Sequence, residues 1–252
     1  MTAFRVLLVK ELREQVRTMR FAVVVAVFGV FGILSPLLAK SLPDIISAAG
    51  TGIQITVPTP TTRDAVLQFT KNIGQIGALI AILISMGAVA TEKERGTAAF
   101  LLTKPVGRST FLLAKVTAIG ILLAAGVAVS GVLSAVYTAI LFEPLPVAGT
   151  IESLVLLWLS LAAYAAVTFL ASVMARSAIV AGGVGFVALI GGGILSAIPA
   201  IGPYAPNGLS TPALALSLGL PAADLAGPIA ANVAMIGVLV AAAGLAFRRQ
   251  EL

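Results

Sequence analysis

Six long apolar stretches, near residues 21–39, 73–91, 116–142, 153–174, 178–198 and 229–247, constrain this chain more than any other feature. Each is long enough to cross a hydrocarbon core of about 30 Å at 1.5 Å per residue. The apolar residues run on without the alternation of a half-buried strand or the single stripe of a surface helix. Charged residues make up 10% of the 252 positions and hydrophobic ones 59%. Roughly a quarter of a soluble domain is charged, so there are too few charges here to cover a water-soluble globule. The reading is an all-α membrane protein of six transmembrane helices, forming a single domain over residues 1–252. The first stretch exceeds a leader's apolar region and no A-x-A site follows it, so it reads as a span.

Lysine and arginine set the orientation. With the N-terminus inside, Arg5, Lys10, Arg13, Arg17, Arg20, Lys93, Arg95, Lys104, Arg108, Lys115, Arg176, Arg248 and Arg249 fall on the inner side. Only Lys40, Arg63 and Lys71 fall outside, a division of 13 against 3 for the 16 cations. Short loops are where the positive-inside rule works best, and the expectation is both termini in the cytoplasm. The net charge of +6 is therefore a topology signal, and no nucleic-acid partner is expected. Residues 209–227 could make a seventh span, but they contain Pro212, Pro221 and Asp224 and would put Arg248 and Arg249 outside. Residues 199–228 read instead as an outer re-entrant element, packed against protein.

Residues 3–18 are amphipathic. Phe4, Leu8, Leu12 and Val16 recur every four positions, with Lys10, Arg13, Glu14 and Arg17 on the other side. This reads as a helix on the inner membrane surface, its cations toward anionic head groups.

The most informative loop is 92–115. Glu92 and Glu94 stand at the inner mouth of the second span, and Gly96 breaks the helix or lets backbones approach closely. Thr97 is a cap for a second short helix through Phe100, Leu101 and Leu102, which Pro105 stops. Arg108 and Lys115 lead into the third span, and Glu92 and Glu94 are placed to pair with Arg13 or Arg17. Taken alone, the loop reads either as a solvated hairpin or as a docking element whose apolar tip, Phe100–Leu101–Leu102, meets a partner.

Together, Glu92-Lys93-Glu94-Arg95-Gly96-Thr97, Leu102, Pro105, Arg108 and Lys115 resemble the E-x-E-x-G-T…L…P-x-x-R…K signature of type-2 ABC transporter permeases. The amphipathic first helix, six spans and outer element match that family as well. Two departures are minor: Gly107 where serine is frequent, and Ala114 where glycine is common. The resemblance implies a membrane permease subunit whose loop 92–115 couples to an ATPase. It also implies a second permease subunit, two separate ABC ATPase subunits and a place in a prokaryotic plasma membrane.

A second constellation lies at residues 58–75. Thr61 and Asp64 form a T-x-x-D helix start. Asp64, Gln68, Lys71, Asn72 and Gln75 then share one face, readable as an ordinary solvated stripe or as a head-group contact at an outer exit.

Absences narrow the function. There is no cysteine and no histidine, which removes thiolate and histidine chemistry. No G-x-x-x-x-G-K-[ST] run occurs, so this chain is not expected to be the enzyme. No cofactor is expected on it, with ATP and magnesium on the partner. The spans show hydroxyls such as Ser35, Ser85, Ser130 and Tyr164 but no ionised group, which argues against a gradient-driven transporter. It favours a hydrophobic or amphipathic cargo. The six glycines of the fifth span, Gly182 to Gly193, permit close packing. The other classes still open are an ion-gradient transporter and a non-transporting assembly protein.

Overall fold

The computed structural model describes residues 3–48, 58–96, 107–222 and 224–250. All regular structure among them is helical, and six helical stretches are long and apolar enough to cross a membrane. They coincide with the six apolar runs of the sequence.

Helix α1, Ala3–Arg17, ends where Thr18 sends its backbone N–H and hydroxyl to the Glu14 carbonyl. Met19 then takes φ +60°, and the chain turns into α2, Arg20–Ala48. The first span was expected to end at 39, yet the helix continues through Pro36 and Pro43. A broken backbone finds no water to bond in an apolar medium, so the helix persists despite each proline's missing donor. Ser35 Oγ meanwhile donates to the Phe31 carbonyl at 2.6 Å.

The second span starts at Thr62 rather than 73. The Asp64 carboxylate accepts the backbone N–H and hydroxyl of Thr61 at 2.8 and 2.7 Å, so the start signal lies where the helix begins. Helix α3 (Thr62–Asn72) passes through a π-helical turn, Ile73–Gly77, into α4 (Ala78–Met86). After a turn at Gly87 the short α5, Ala90–Glu94, follows.

Next come α6 (Arg108–Leu141), α7 (Val147–Met174) and α8 (Ala178–Ser196). At 34 residues α6 is about 50 Å long, well beyond a hydrocarbon core. Residues 199–228 hold two 3₁₀ turns, the eight-residue α9 (Ser210–Ser217) and a left-handed Gly219. No seventh spanning helix exists among the described residues. The last helix is α10, Ala226–Arg248.

Helix α7 is the hub. Of its most apolar stretch 67% is buried, against 17% for α8 and 11% for α10, which therefore form the periphery. Phe169, Leu157, Leu161 and Tyr164 of α7 pack with Phe28, Ile73, Leu122 and Phe247 from four other segments. Helices α2 and α6 cross on small residues. A Cβ added at Gly32 would lie 2.5 Å from the Ser130 carbonyl oxygen, and one at Gly126 would press on Phe28 at 3.1 Å. Such approaches let backbones meet where no hydrophobic effect drives association.

Gly32→Ala is therefore expected to destabilise the bundle by about 1–3 kcal/mol, the usual range for overpacking. Gly237→Ala, whose Cβ would meet nothing within 4 Å, serves as the neutral control. Thermal unfolding of both variants in detergent reads the difference.

Candidate functional site

The first two turns of α6 present Arg108, Phe111 and Lys115 on one face, three and four residues apart. This face gathers the other helices at the end of the bundle that holds both chain termini. Lys115 is buried, its side chain 5% exposed. Its ammonium lies 2.8 Å from Glu92 of α5 and 3.1 Å from Glu11 of α1, and 5.0 Å from the centre of the Phe111 ring. Phe111 in turn stacks on Phe247 of α10 at 5.9 Å. One cation thus binds two helices, and the ring beside it reaches a third.

Arg108 closes the end of α10. Its guanidinium donates to the carbonyls of Phe247, Arg248 and Gln250 at 3.2, 3.1 and 3.0 Å. A helix C-terminus has orphan carbonyls and a partial negative charge, so a cation there is doubly suited.

Helix α5 touches something different with nearly every residue. The amides of Val89 and Ala90 donate to Ser172 Oγ of α7 at 3.1 and 3.0 Å, which caps α5 after the break at Gly87. Lys93 donates to the Val173 carbonyl at 2.6 Å and to the Gln250 side chain at 3.4 Å. Gln250 also donates to Val173 at 2.9 Å. Glu94 accepts from the Ala178 amide at 3.3 Å, at the start of α8, where a carboxylate meets unpaired donors and the positive helix end. Gly96 at φ +68° donates to the Lys93 carbonyl, the left-handed close of a helix that glycine adopts without penalty.

The structure thus brings Glu92, Glu94, Gly96, Arg108 and Lys115 to one junction. Thr97, Phe100, Leu101, Leu102 and Pro105 lie outside the described residues. One expectation needs correction: the link from this loop to α1 runs through Lys115 to Glu11, and among the described residues Glu94 makes no ion pair with Arg13 or Arg17. Lys115, one residue before the third apolar run, is a buried charge in the second turn of α6, paired with two carboxylates.

In α1 the stripe residues Phe4, Leu8 and Leu12 are half-buried and Val16 is 60% exposed. Leu7, outside the expected stripe, also packs against the core, and Glu11 reaches Lys115. Beside this triad opens a cavity of about 380 Å³, lined also by Arg20, Thr91 and Arg95. Lys10 lies at its edge, 3.1 Å from Glu11. Partial burial lowers its pKa, but Glu11, Glu92 and Glu14 outweigh that and the net shift is upward.

The polar stripe on α3 lies roughly 25–40 Å away along the helix axis, at about 1.5 Å per residue. The structure divides it. Asp64 caps the helix, and Gln68 donates to Asn72 at 3.3 Å. Asn72 donates to Ser35 of α2 at 2.9 Å, so it is an interhelical tie. Lys71 and Gln75 line a separate cavity.

Sequence reasoning missed Glu11, Ser172, Phe111 and Gln250. Glu11 carried a signal, as an acid set between Leu7, Leu8 and Leu12 on an otherwise apolar face. Ser172 carried none, because a serine cap on another helix's break leaves no local pattern.

Five apolar helices around a central α7, tied near the chain termini by Lys115, Arg108, Lys93 and Glu94, define a multi-pass membrane protein. The model of a family described as ABC-2 family transporter protein matches residues 5–252, and the chain belongs to that family. It is a membrane-spanning transport permease of the ABC class, whose complexes work with an ATPase subunit. None of the curated proteins matches the chain.

Lys115→Met leaves two part-buried carboxylates close together, with Lys10 still beside Glu11, and is expected to destabilise the fold by up to about 3–5 kcal/mol. Glu11→Gln keeps one carboxylate for the cation and should cause a distinctly smaller loss. Thermal unfolding in detergent, compared between the two variants, checks the order.

Proposed function

We propose that this chain pairs with a second permease subunit and two separate ATPase subunits, and that the segment 92–115 receives the ATPase stroke. Both termini lie in the cytoplasm, and residues 199–228 form an outer re-entrant element. ATP and magnesium are held by the partner, and no residue of this chain makes or breaks a bond. The cargo is hydrophobic or amphipathic, and the membrane is a prokaryotic cell membrane.

The observation that carries the coupling assignment is the junction at α5. Helices α1, α6, α7, α8 and the end of α10 are all reached within the stretch from Val89 to Glu94, directly or through Lys115 and Gln250. A force applied to the chain directly after Gly96 therefore acts on five helices together. Twelve cations among the described residues lie near this end against 3 at the other, which supports its cytoplasmic placement. For α1, the outward face carries Val6, Val9 and Val16 beside Arg5, Arg13 and Arg17, a combination suited to an anionic membrane surface.

Two measurements test the reading. Single cysteines placed at Lys104 and Arg63 in this cysteine-free chain are expected to react with an impermeant thiol reagent on intact cells at 63 only. Labelling at 104 alone would invert the topology. Phe100→Ala with Leu101→Ala is expected to weaken pull-down of the ATPase roughly tenfold to a hundredfold, from about 1–3 kcal/mol of lost interface, and to slow ATP-dependent transport in vesicles. Unchanged ATPase affinity and native transport in a normally inserted variant would remove the coupling assignment.

A further inference from the structure

At the end of the bundle away from the termini, a cavity of about 310 Å³ lies between α3, the π turn, α7, α8, α9 and the turn before α9. Lys71, Gln75, Ser160 and Asn207 bring donors to it, and Leu157 and Leu189 supply apolar wall. These donors are unused. Among the described residues Lys71 has no ion pair, and Gln75 and Ser160 have no side-chain hydrogen bond. Ser160 is 5% exposed, so it is almost fully enclosed without a protein partner. Asn207 accepts from the Tyr164 hydroxyl through Oδ1 at 2.9 Å, which fixes the amide and leaves its Nδ2 donors free. No carboxylate lines the cavity.

Ser160 is buried and Asn207 half-buried, while Lys71 and Gln75 are exposed. Four donors around one space without an acid suit an acceptor-rich ligand. The π turn makes the room. It widens the helix between Lys71 and α4, and a Cβ on Gly74, which also lines the cavity, would meet nothing within 4 Å. A lysine ammonium, two amides and a hydroxyl suit a tetrahedral oxyanion, and the adjoining leucines suit a chain attached to it. The acid on the same helix, Asp64, lines a neighbouring cavity that Lys71 also borders.

We propose that this cavity binds the phosphate of an outer-leaflet phospholipid, with Lys71 as the charge partner and Gln75, Ser160 and Asn207 as neutral donors. The proposal rests on the reading above that this end of the bundle faces outward. It deepens the expectation of an amphipathic cargo by naming the group that is read.

The test uses the full-length chain in detergent without ATPase or nucleotide, so its outcome is independent of the coupling assignment. Dioleoylphosphatidylglycerol and dioleoylglycerol are titrated and bound lipid is counted by native mass spectrometry. The expected result is binding of the phosphate-bearing lipid only. Lys71→Gln should weaken it about tenfold, the ratio for one lost charged hydrogen bond. Gly74→Leu, which fills the space and leaves the lysine in place, should do likewise, while Lys40→Gln at another outer cation leaves binding unchanged. Equal binding by all four chains, or equal binding of both lipids, would mean annular lipid and overturn the proposal. Displacement of the lipid by equimolar inorganic phosphate would assign the site to the free ion and overturn it too.

Discussion

Everything at the terminal end of this protein is arranged around one buried cation. Lys115 projects from the second turn of α6 into the bundle with its side chain 5% exposed, and a charge so placed persists only with partners. Glu92 and Glu11 provide them from two other helices, at 2.8 and 3.1 Å. A buried ion pair adds little net stability over an apolar packing of the same volume, because desolvation offsets most of the attraction. What it does supply is register. Apolar helix faces slide past one another at small energetic penalty, whereas a lysine shared between two carboxylates holds α1, α5 and α6 in a single relative position. Arg108 does the same for α10 by occupying its terminal carbonyls.

This explains why so small an element as α5 matters. Five residues bury almost no apolar surface, and α5 exists because its ends are satisfied from outside: Ser172 at the start, Gly96 at the close. Its side chains are then free to reach neighbouring helices instead of its own backbone. An element held by directed polar ties can change partners as a unit, which a packed apolar face cannot do without opening voids. Under the proposed function, the stroke enters at the part of the molecule whose bonds are easiest to exchange.

The spans were legible because their signal is length and composition, and the medium forces helix on any such run. The limits of the runs were less so. Pro36 and Pro43 read as stops in water but lie inside α2, and the helix of the second span begins at Thr61–Asp64, well before its apolar run. The loop motif placed Glu92, Glu94, Arg108 and Lys115 in one functional unit, and the structure brings these four together. It could not name their partners. Lys115 looked like a loop cation because its neighbours in sequence are apolar and its acids are remote, Glu11 lying on another helix altogether. On α3 the stripe was visible as a periodicity, but which members turn inward depends on Ser35 and on the π turn, neither of which the spacing encodes.

The two ends of the bundle are held by different physics, and the difference bears on how such a subunit can move. At the far end, backbones meet directly: a Cβ on Gly149 would run into the Leu216 carbonyl, and one on Gly208 into that of Gly202. Contacts of that kind have no side chain to rearrange, and any displacement opens a gap along the whole approach. The terminal end is spanned by Lys, Arg and Glu stems, each able to swing its head group between acceptors over a few ångströms. Under the proposed function, a drive applied at Gly96 meets exchangeable polar ties near the point of force and direct backbone contacts at the opposite end. On that same proposal, with the drive applied from the cytoplasm, this division makes the glycine-packed outer segment the pivot. Helices α5 and α6 become the arm, and α7, buried along most of its length, is the axis on which the others bear.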